Sequence, residues 1–272
     1  MKFRRDHDTG LILPRERRIV APRERLCSAA MQQVLLGYGG VPILTPPALH
    51  GSPQATAGDI RTVTNLSVNI TTTVANTTIC VLAYNEAKLA VPVAGKAVSS
   101  VAISGLTFTK KFTSNGSSNG SMELWTAPCS GTLTAQSCTV TWPSGSDDGA
   151  IVVWALSGAG AAVFDTNASM PAKASSNVTW TPSFSSLATD AAGTMLVWMN
   201  GGIKSASAGM PAAPTGYTSI ASVATGAGFS AACALAYYKT YTSVQSGLTV
   251  TASASGGGDT GNEAAIVAFV GA

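Results

Sequence analysis

The chain has 272 residues, of which only 11% are charged, and its formal net charge is +3. A typical globular domain has a charged fraction of about 25%, so we expect much of this surface to lie against neighbouring proteins. The small net charge also argues against nucleic acid as the main partner. The five cysteines form no CxxC motif and no Cys/His spacing, which argues against a zinc site and against a dense disulfide framework.

An extended basic arm is predicted over residues 1–50. Five prolines interrupt this segment, and only one helix, over residues 23–36, fits between them. Residues 1–26 have a net charge of +4, but Glu16 and Glu24 interrupt the basic clusters and no aromatic residues are interleaved with them. We therefore expect the arm to dock on protein neighbours through salt bridges and added strands. The arginines expected to make these contacts are Arg4, Arg5, Arg15, Arg17, Arg18, Arg23 and Arg25.

From about residue 59 the apolar residues follow a period of two, which is typical of β-strands with one buried face. The clearest alternation lies over residues 66–74, 178–185 and 248–255. Other segments are apolar on both faces and are predicted to be central strands. These segments are residues 78–84, 150–157, 195–200, 231–238 and 264–270.

Turn-rich stretches separate these segments, and no helical period occurs after residue 50. The prediction for residues 51–272 is an all-β fold of about ten to thirteen strands. It is an antiparallel β-sandwich, jelly-roll-like, built as one large domain or as two small packed sub-domains. No internal repeat is evident in the sequence.

No catalytic residue, cofactor site or metal site is predicted. The only histidines, His7 and His50, lie in or beside the arm, so the sandwich offers no imidazole for a Ser-His-Asp or Cys-His mechanism. Most carboxylates lie in Gly/Ser/Asn-rich stretches that are typical of turns. A calcium site at Asp147–Asp148, or at Asp259 with Asn262 and Glu263, is the alternative to ordinary turns.

The aromatic residues offer the best candidates for a binding surface. Trp154 and Trp198 lie in strands that are apolar on both faces, and Trp142 and Trp180 lie on apolar faces, so all four are predicted to be in the core. Trp125 shares a face with Glu123 and is predicted to be exposed. Exposed aromatic rings can stack on sugars. The candidate glycan or interface aromatics are Trp125, Tyr237 and Tyr241, with Tyr238 beside them.

Two cysteines, Cys129 and Cys138, could face each other across a hairpin, but buried thiols that act as small apolar groups are the favoured interpretation.

Several predicted strand segments share a characteristic order and spacing, namely residues 98–101, 106–110, 122–127, 139–142, 150–158, 214–218, 236–240 and 265–269. In this order and spacing, roughly residues 60–272 of the chain resemble β-sandwich domains of tailed-phage and prophage virion proteins. The resemblance implies a particle-surface role, as a tail, fibre, spike or capsid-decoration protein with a carbohydrate-binding-like architecture, and it implies no catalytic residue.

The hypothesis from the sequence is therefore a bacteriophage virion structural protein, not an enzyme, whose arm anchors it to capsid or tail subunits. The first residues do not have the pattern of a secretion signal, so we expect the protein to assemble in the host cytoplasm. We expect it to be part of a homo-oligomeric or symmetric particle and to have no membrane partner. One alternative is a glycan-binding host-recognition module. A glycan depolymerase, which would need a pair of carboxyl groups, is the third.

Overall fold

The computed structural model describes residues 3–5, 12–14, 44–61, 63–87, 97–117, 119–144, 146–204, 210–225, 231–256 and 261–272. The chain divides into two units, Met1–Pro42 and Ile43–Ala272. In the first unit, β1 (Phe3–Arg5) pairs antiparallel with β2 (Ile12–Pro14). Arg4 and Arg5 therefore belong to β1. The other five arm arginines and the helix predicted over residues 23–36 lie outside the described residues.

The described part of the second unit contains no helix and consists of antiparallel strands. The predicted all-β antiparallel sandwich is therefore confirmed, while its jelly-roll detail stays a prediction. The strands are β3 (Ala48–Asp59), β4 (Asn65–Ile70), β5 (Thr77–Ala87), β6 (Ser100–Ala102), β7 (Thr109–Ser114), β8 (Gly120–Cys129), β9 (Gln136–Thr141), β10 (Ser146–Ser157), β11 (Ala159–Phe164), β12 (Ala172–Ser176), β13 (Ser183–Leu187), β14 (Thr194–Lys204), β15 (Ala212–Pro214), β16 (Thr218–Ala224), β17 (Ala231–Tyr241), β18 (Leu248–Ala254) and β19 (Asn262–Gly271).

All five segments that are apolar on both faces lie in strands, namely β5, β10, β14, β17 and β19. The alternation at residues 178–185 is only partly a strand, because β13 begins at Ser183 and Val178 is 63% exposed. The structure has more strands than the ten to thirteen that were predicted. Short strands such as β6 and β15, each of three residues, are too brief for a periodicity to reveal.

The second unit contains two sandwiches, each made of a wide and a narrow sheet. In the first sandwich (β3–β10), the wide sheet has the order β3-β10-β5-β8-β7 and the narrow sheet the order β4-β9-β6. In the second sandwich (β11–β19), the wide sheet has the order β11-β19-β14-β17-β16, with β12 also paired to β19, and the narrow sheet the order β13-β18-β15. One apolar core fills each sandwich, and a third core lies between the two wide sheets. The unit is therefore four sheets deep.

The two sandwiches repeat the same connectivity. The strands correspond in chain order: β4 to β10 of the first sandwich match β13 to β19 of the second, and β3 matches the pair β11 and β12. With this correspondence the strand orders of the two sandwiches are the same. The registers agree as well: Thr77 pairs with Cys129 in the first sandwich, and Thr194 pairs with Tyr241 in the second. These pairs define which residues are equivalent in the two sandwiches.

A hydrogen-bond motif repeats at equivalent positions. Thr72 donates its backbone N–H to the Leu133 carbonyl, and its Oγ1 accepts the Leu133 N–H at 2.8 Å. Thr189 makes the same two bonds with Gln245, with the Oγ1 accepting at 2.9 Å. Residues with a left-handed backbone also match, as in the pairs Asn76 and Gly193, Gly105 and Gly216, and Ala135 and Gly247. The second unit is therefore an internal duplication that its residue types conceal.

The contacts between the wide sheets are reciprocal. Strand β10 packs on β17 as β19 packs on β8, β5 packs on β17 as β14 packs on β8, and β3 packs on β16 as β12 packs on β7. The equivalent strands β5 and β14 meet each other, and there a Cβ added to Gly201 would lie 2.4 Å from the ring of its equivalent, Tyr84. Such reciprocity is the mark of a two-fold axis, which passes between β5 and β14.

Candidate functional site

Trp125 is half-buried rather than exposed, which corrects the prediction for this residue. Its indole packs against the core of the first sandwich, and its N–H donates to Glu123 Oε2 at 2.8 Å. Glu123 is itself buried and also accepts the backbone N–H of Val98. Lys110 stands over the indole, with its Nζ 5.6 Å from the ring centroid and 3.5 Å from Glu123 Oε1. The polar groups around Trp125 therefore already bond to each other.

The structure does not bring the three candidate aromatics together. Trp125 lies on β8 and faces the narrow sheet of the first sandwich, whereas Tyr237 lies at the equivalent position on β17 and faces the narrow sheet of the second. Both wide sheets lie between them, and packed sheets are about 10 Å apart. Trp125 and the tyrosines Tyr237 and Tyr241 are therefore two separate candidate places and not one surface.

A groove of about 260 Å³ lies beside Tyr241, between β17, β18 and the turn that joins β15 to β16. The side chains of β17 alternate, so Tyr237, Lys239 and Tyr241 point to the same face. Tyr217 comes from the turn before β16, and the threonines from this turn and from β18 are exposed. We call this the tyrosine groove, and its lining includes Thr215, Tyr217, Lys239, Tyr241, Thr249 and Thr251.

Lys239 is held over Tyr241, with its Nζ 5.3 Å from the ring centroid. It also approaches the turn at Gly216, where an added Cβ would lie 3.4 Å from Lys239 Nζ. The side-chain ion pairs of the described residues are Arg61–Asp59 and Lys110–Glu123, so Lys239 has no carboxylate partner within that part of the chain. Burial raises the pKa of Tyr217, and its neighbour Tyr241 adds to this, so the phenol is neutral.

A second groove, of about 370 Å³, lies further along β17. Tyr237 and Leu235 line it together with the segment from Met210 to Ala212 and residues 222–224 of β16. Tyr237 packs against Trp198, with ring centroids 6.0 Å apart, so one side of its ring is occupied. The described residues that line this groove include no charged side chain, whereas the tyrosine groove combines aromatic, hydroxyl and cationic groups.

Three glutamates lie buried in strands, and one of them, Glu263, was predicted to lie in a loop. Glu86 in β5, Glu123 in β8 and Glu263 in β19 are each at most 1% exposed. Glu263 accepts hydrogen bonds from Ser114 Oγ at 2.6 Å and from the backbone N–H of Ser117 at 2.8 Å. Since the serines belong to the first sandwich and Glu263 to the second, this carboxylate ties the two sandwiches together.

The calcium alternative at Asn262 and Glu263 is wrong for the same reason, because both residues are buried in β19 and not in a loop. Asp259 lies outside the described residues, and Asp147 and Asp148 belong to β10. Among the described residues, no three His, Cys, Asp or Glu side chains are grouped so that they could hold a metal ion.

His50 and the cysteines have structural surroundings. His50 lies in β3, and its Nε2 accepts the backbone N–H of Thr73 at 3.0 Å. The four described cysteines are buried and form no disulfide with one another, and Cys129 and Cys138 both lie in the core of the first sandwich. Burial raises the pKa of Cys138 to about 12, so this thiol is a small apolar group.

The geometry thus defines a charge-poor, duplicated antiparallel sandwich with a polar groove beside Tyr241. Comparisons of the chain with models of protein families, with curated proteins and with solved structures find no match. Within the described residues, no helix has the length and apolar character needed to span a membrane.

Proposed function

We propose that this chain is a structural component of a bacteriophage virion, in which the basic arm docks on capsid or tail neighbours and the two sandwiches lie at the particle surface. One observation carries the proposal: the basic segment and the charge-poor body are separate units, Met1–Pro42 and Ile43–Ala272. A basic segment of this kind suits attachment to a partner, because its arginines can pair with the carboxylates of a neighbouring subunit.

The low charge on the surface of residues 43–272 also supports this proposal. It has nine carboxylates in residues 43–272, and four of them, Glu86, Glu123, Asp165 and Glu263, are buried. The outer surface therefore has even fewer charges than the composition suggests. Free charge keeps proteins apart in solution, so a surface with so little of it suits a subunit whose faces are shared with neighbours in an assembly.

The outer strands of the wide sheets offer further contacts. Strand β7 is the last strand of its sheet and has Lys110 and Lys111 exposed along it, whereas β16 ends the other wide sheet without a lysine. Lysines on an outer strand oppose pairing with another chain. Strand β16 is therefore the better candidate for contact with a neighbouring subunit.

The experiment is co-sedimentation with particles that lack this protein. Four forms are compared: the full chain, a chain that lacks residues 1–42, the full chain with all seven arm arginines changed to Gln, and a control with Lys110 and Lys111 changed to Gln. We expect the full chain and the control to sediment with the particles and the other two forms to stay in the supernatant. Equal binding by all four forms would contradict docking through the arm, and binding by none would contradict the virion role.

A further inference from the structure

The duplication provides an internal reference for the tyrosine groove. The residue equivalent to Lys239 in the first sandwich is Ala127, and the one equivalent to Tyr241 is Cys129. Both are buried, with exposed fractions of 0% and 3%. The fold therefore accommodates small apolar side chains at these two positions, and the framework that the two sandwiches share does not itself require a lysine and a tyrosine there, although Tyr241 also packs on the second core.

The third position to compare is that of Tyr217. Tyr217 follows Gly216 in the turn between β15 and β16, and its N–H donates to the carbonyl of Pro214. The equivalent residue in the first sandwich is Leu106, which follows Gly105 and makes the same turn hydrogen bond. Leu106 packs onto the core of the first sandwich. Two equivalent positions are thus buried and apolar in the first sandwich and half-buried and polar in the second, whereas at the third position both residues are half-buried and Tyr217 differs from Leu106 by its phenol.

The polar groups of the groove define the ligand chemistry. Tyrosine rings present flat apolar faces with a hydroxyl at one end, and each threonine hydroxyl both donates and accepts a hydrogen bond. The ammonium of Lys239 has no carboxylate partner among the described residues, and ammonium groups form their strongest hydrogen bonds with anions. A cavity of about 260 Å³ is slightly below the range of drug-sized sites, so it suits one sugar ring.

We propose that the tyrosine groove binds a saccharide that carries a carboxylate, such as a uronic acid residue in an acidic polysaccharide. Lys239 pairs with the sugar carboxylate, Tyr217 and Tyr241 contact the ring, and Thr215, Thr249 and Thr251 bond to its hydroxyls. The proposal stands on the comparison of the two sandwiches and is independent of the virion role.

The test is titration of the full chain with a trimer of galacturonic acid, followed by calorimetry and by NMR shifts. Maltotriose serves as the neutral saccharide and inorganic phosphate as the simple anion. The variants Lys239→Ala and Tyr241→Cys introduce the residues that the first sandwich has at these positions. Lys110→Ala is the matched control, because Lys110 also stands over an aromatic ring but already has a carboxylate partner. Thermal unfolding of each variant verifies that it is folded.

We expect the acidic trimer to bind, and Lys239→Ala to weaken binding by about tenfold or more, as loss of a charge-assisted hydrogen bond does. Tyr241→Cys should weaken it as well, Tyr241→Phe should keep most of it, and Lys110→Ala should leave it unchanged. The proposal is overturned if the acidic trimer does not bind, if maltotriose binds equally well, if phosphate binds with the same affinity and the same dependence on Lys239, or if the variants at Lys239 and Tyr241 bind as the unchanged chain does.

Discussion

Changing Glu86 to Gln should make the protein more stable at neutral and alkaline pH. Glu86 is 1% exposed, and its Oε2 has no hydrogen-bond partner among the described residues. Burial, together with the smaller effect of the charges of Asp148 and Asp147, raises the pKa of this carboxyl from 4.5 to about 7. A carboxyl whose pKa is raised on folding stabilises the fold below its unfolded pKa, and this contribution is lost as the pH rises through the folded pKa.

The size of the effect follows from this shift. At about 1.4 kcal/mol per pKa unit, ionisation of Glu86 lowers the unfolding free energy by roughly 3 kcal/mol above pH 7. The difference in unfolding free energy between Glu86→Gln and the unchanged chain should therefore grow by about that amount from pH 4 to pH 8. The unpaired amide of the new Gln adds only an offset that does not depend on pH.

The assay is urea unfolding at intervals from pH 4 to pH 8, followed by the fluorescence of the buried Trp142, Trp154 and Trp198. Glu86→Met is the control, since it also removes the titrating group and should give the same change with pH despite a different offset. If the stability difference stays constant across this range for both variants, Glu86 does not have a raised pKa and the reasoning is refuted.

Three further predictions concern the duplication and the contact between the sandwiches, each read out by chemical unfolding. Thr72→Val and Thr189→Val should each lower the unfolding free energy by about 1 to 3 kcal/mol, because each leaves one backbone N–H without its acceptor; clearly unequal costs would count against the repeated motif. Gly201→Ala should lower the unfolding free energy by about 1 to 3 kcal/mol, because the added methyl group is overpacked against the ring of Tyr84. Gly131→Ala is the control, and it should leave the unfolding free energy nearly unchanged because Gly131 has open space around it. Glu263→Ala should cost about 2 to 4 kcal/mol, because it removes the acceptor of several buried donors; a neutral result would contradict its role in joining the sandwiches.

The central strands could be predicted because burial on both faces leaves a continuous apolar run. Residues 150–157 and 264–270 have this pattern, and they lie in β10 and β19, the equivalent strands inside the two wide sheets. The alternating segment at 66–70 became β4 for the same reason. Strand identity in such cases depends only on the local pattern of apolar and polar residues.

The duplication could not be predicted, because equivalent positions share geometry and not residue type. Tyr84 is equivalent to Gly201, and its ring occupies the space where a Gly201 side chain would lie. Ala150 is equivalent to Glu263, which instead bonds to serines of the first sandwich. The groove at Lys239 was missed for the same reason. The equivalent Ala127 could have revealed it, but only once the register of both sandwiches was known.

Buried carboxylates misled the interpretation of polar segments. Glu123 made the face of Trp125 look exposed, yet Glu123 is buried and receives hydrogen bonds from Trp125 and Val98. The glycines and asparagine before Glu263 are typical of a turn, but Glu263 lies in a strand and accepts hydrogen bonds from Ser114 and Ser117 of the first sandwich. Partners that are far apart in the chain are not visible in a local pattern.

The most direct test of the proposed role is quantitative mass spectrometry of particles purified on a density gradient from the host that encodes this chain. The account predicts that the chain is present at a fixed copy number relative to the major capsid protein, and that this number reflects a symmetric set of sites. Absence of the chain from purified particles, or an amount that falls with each further purification step, would contradict it.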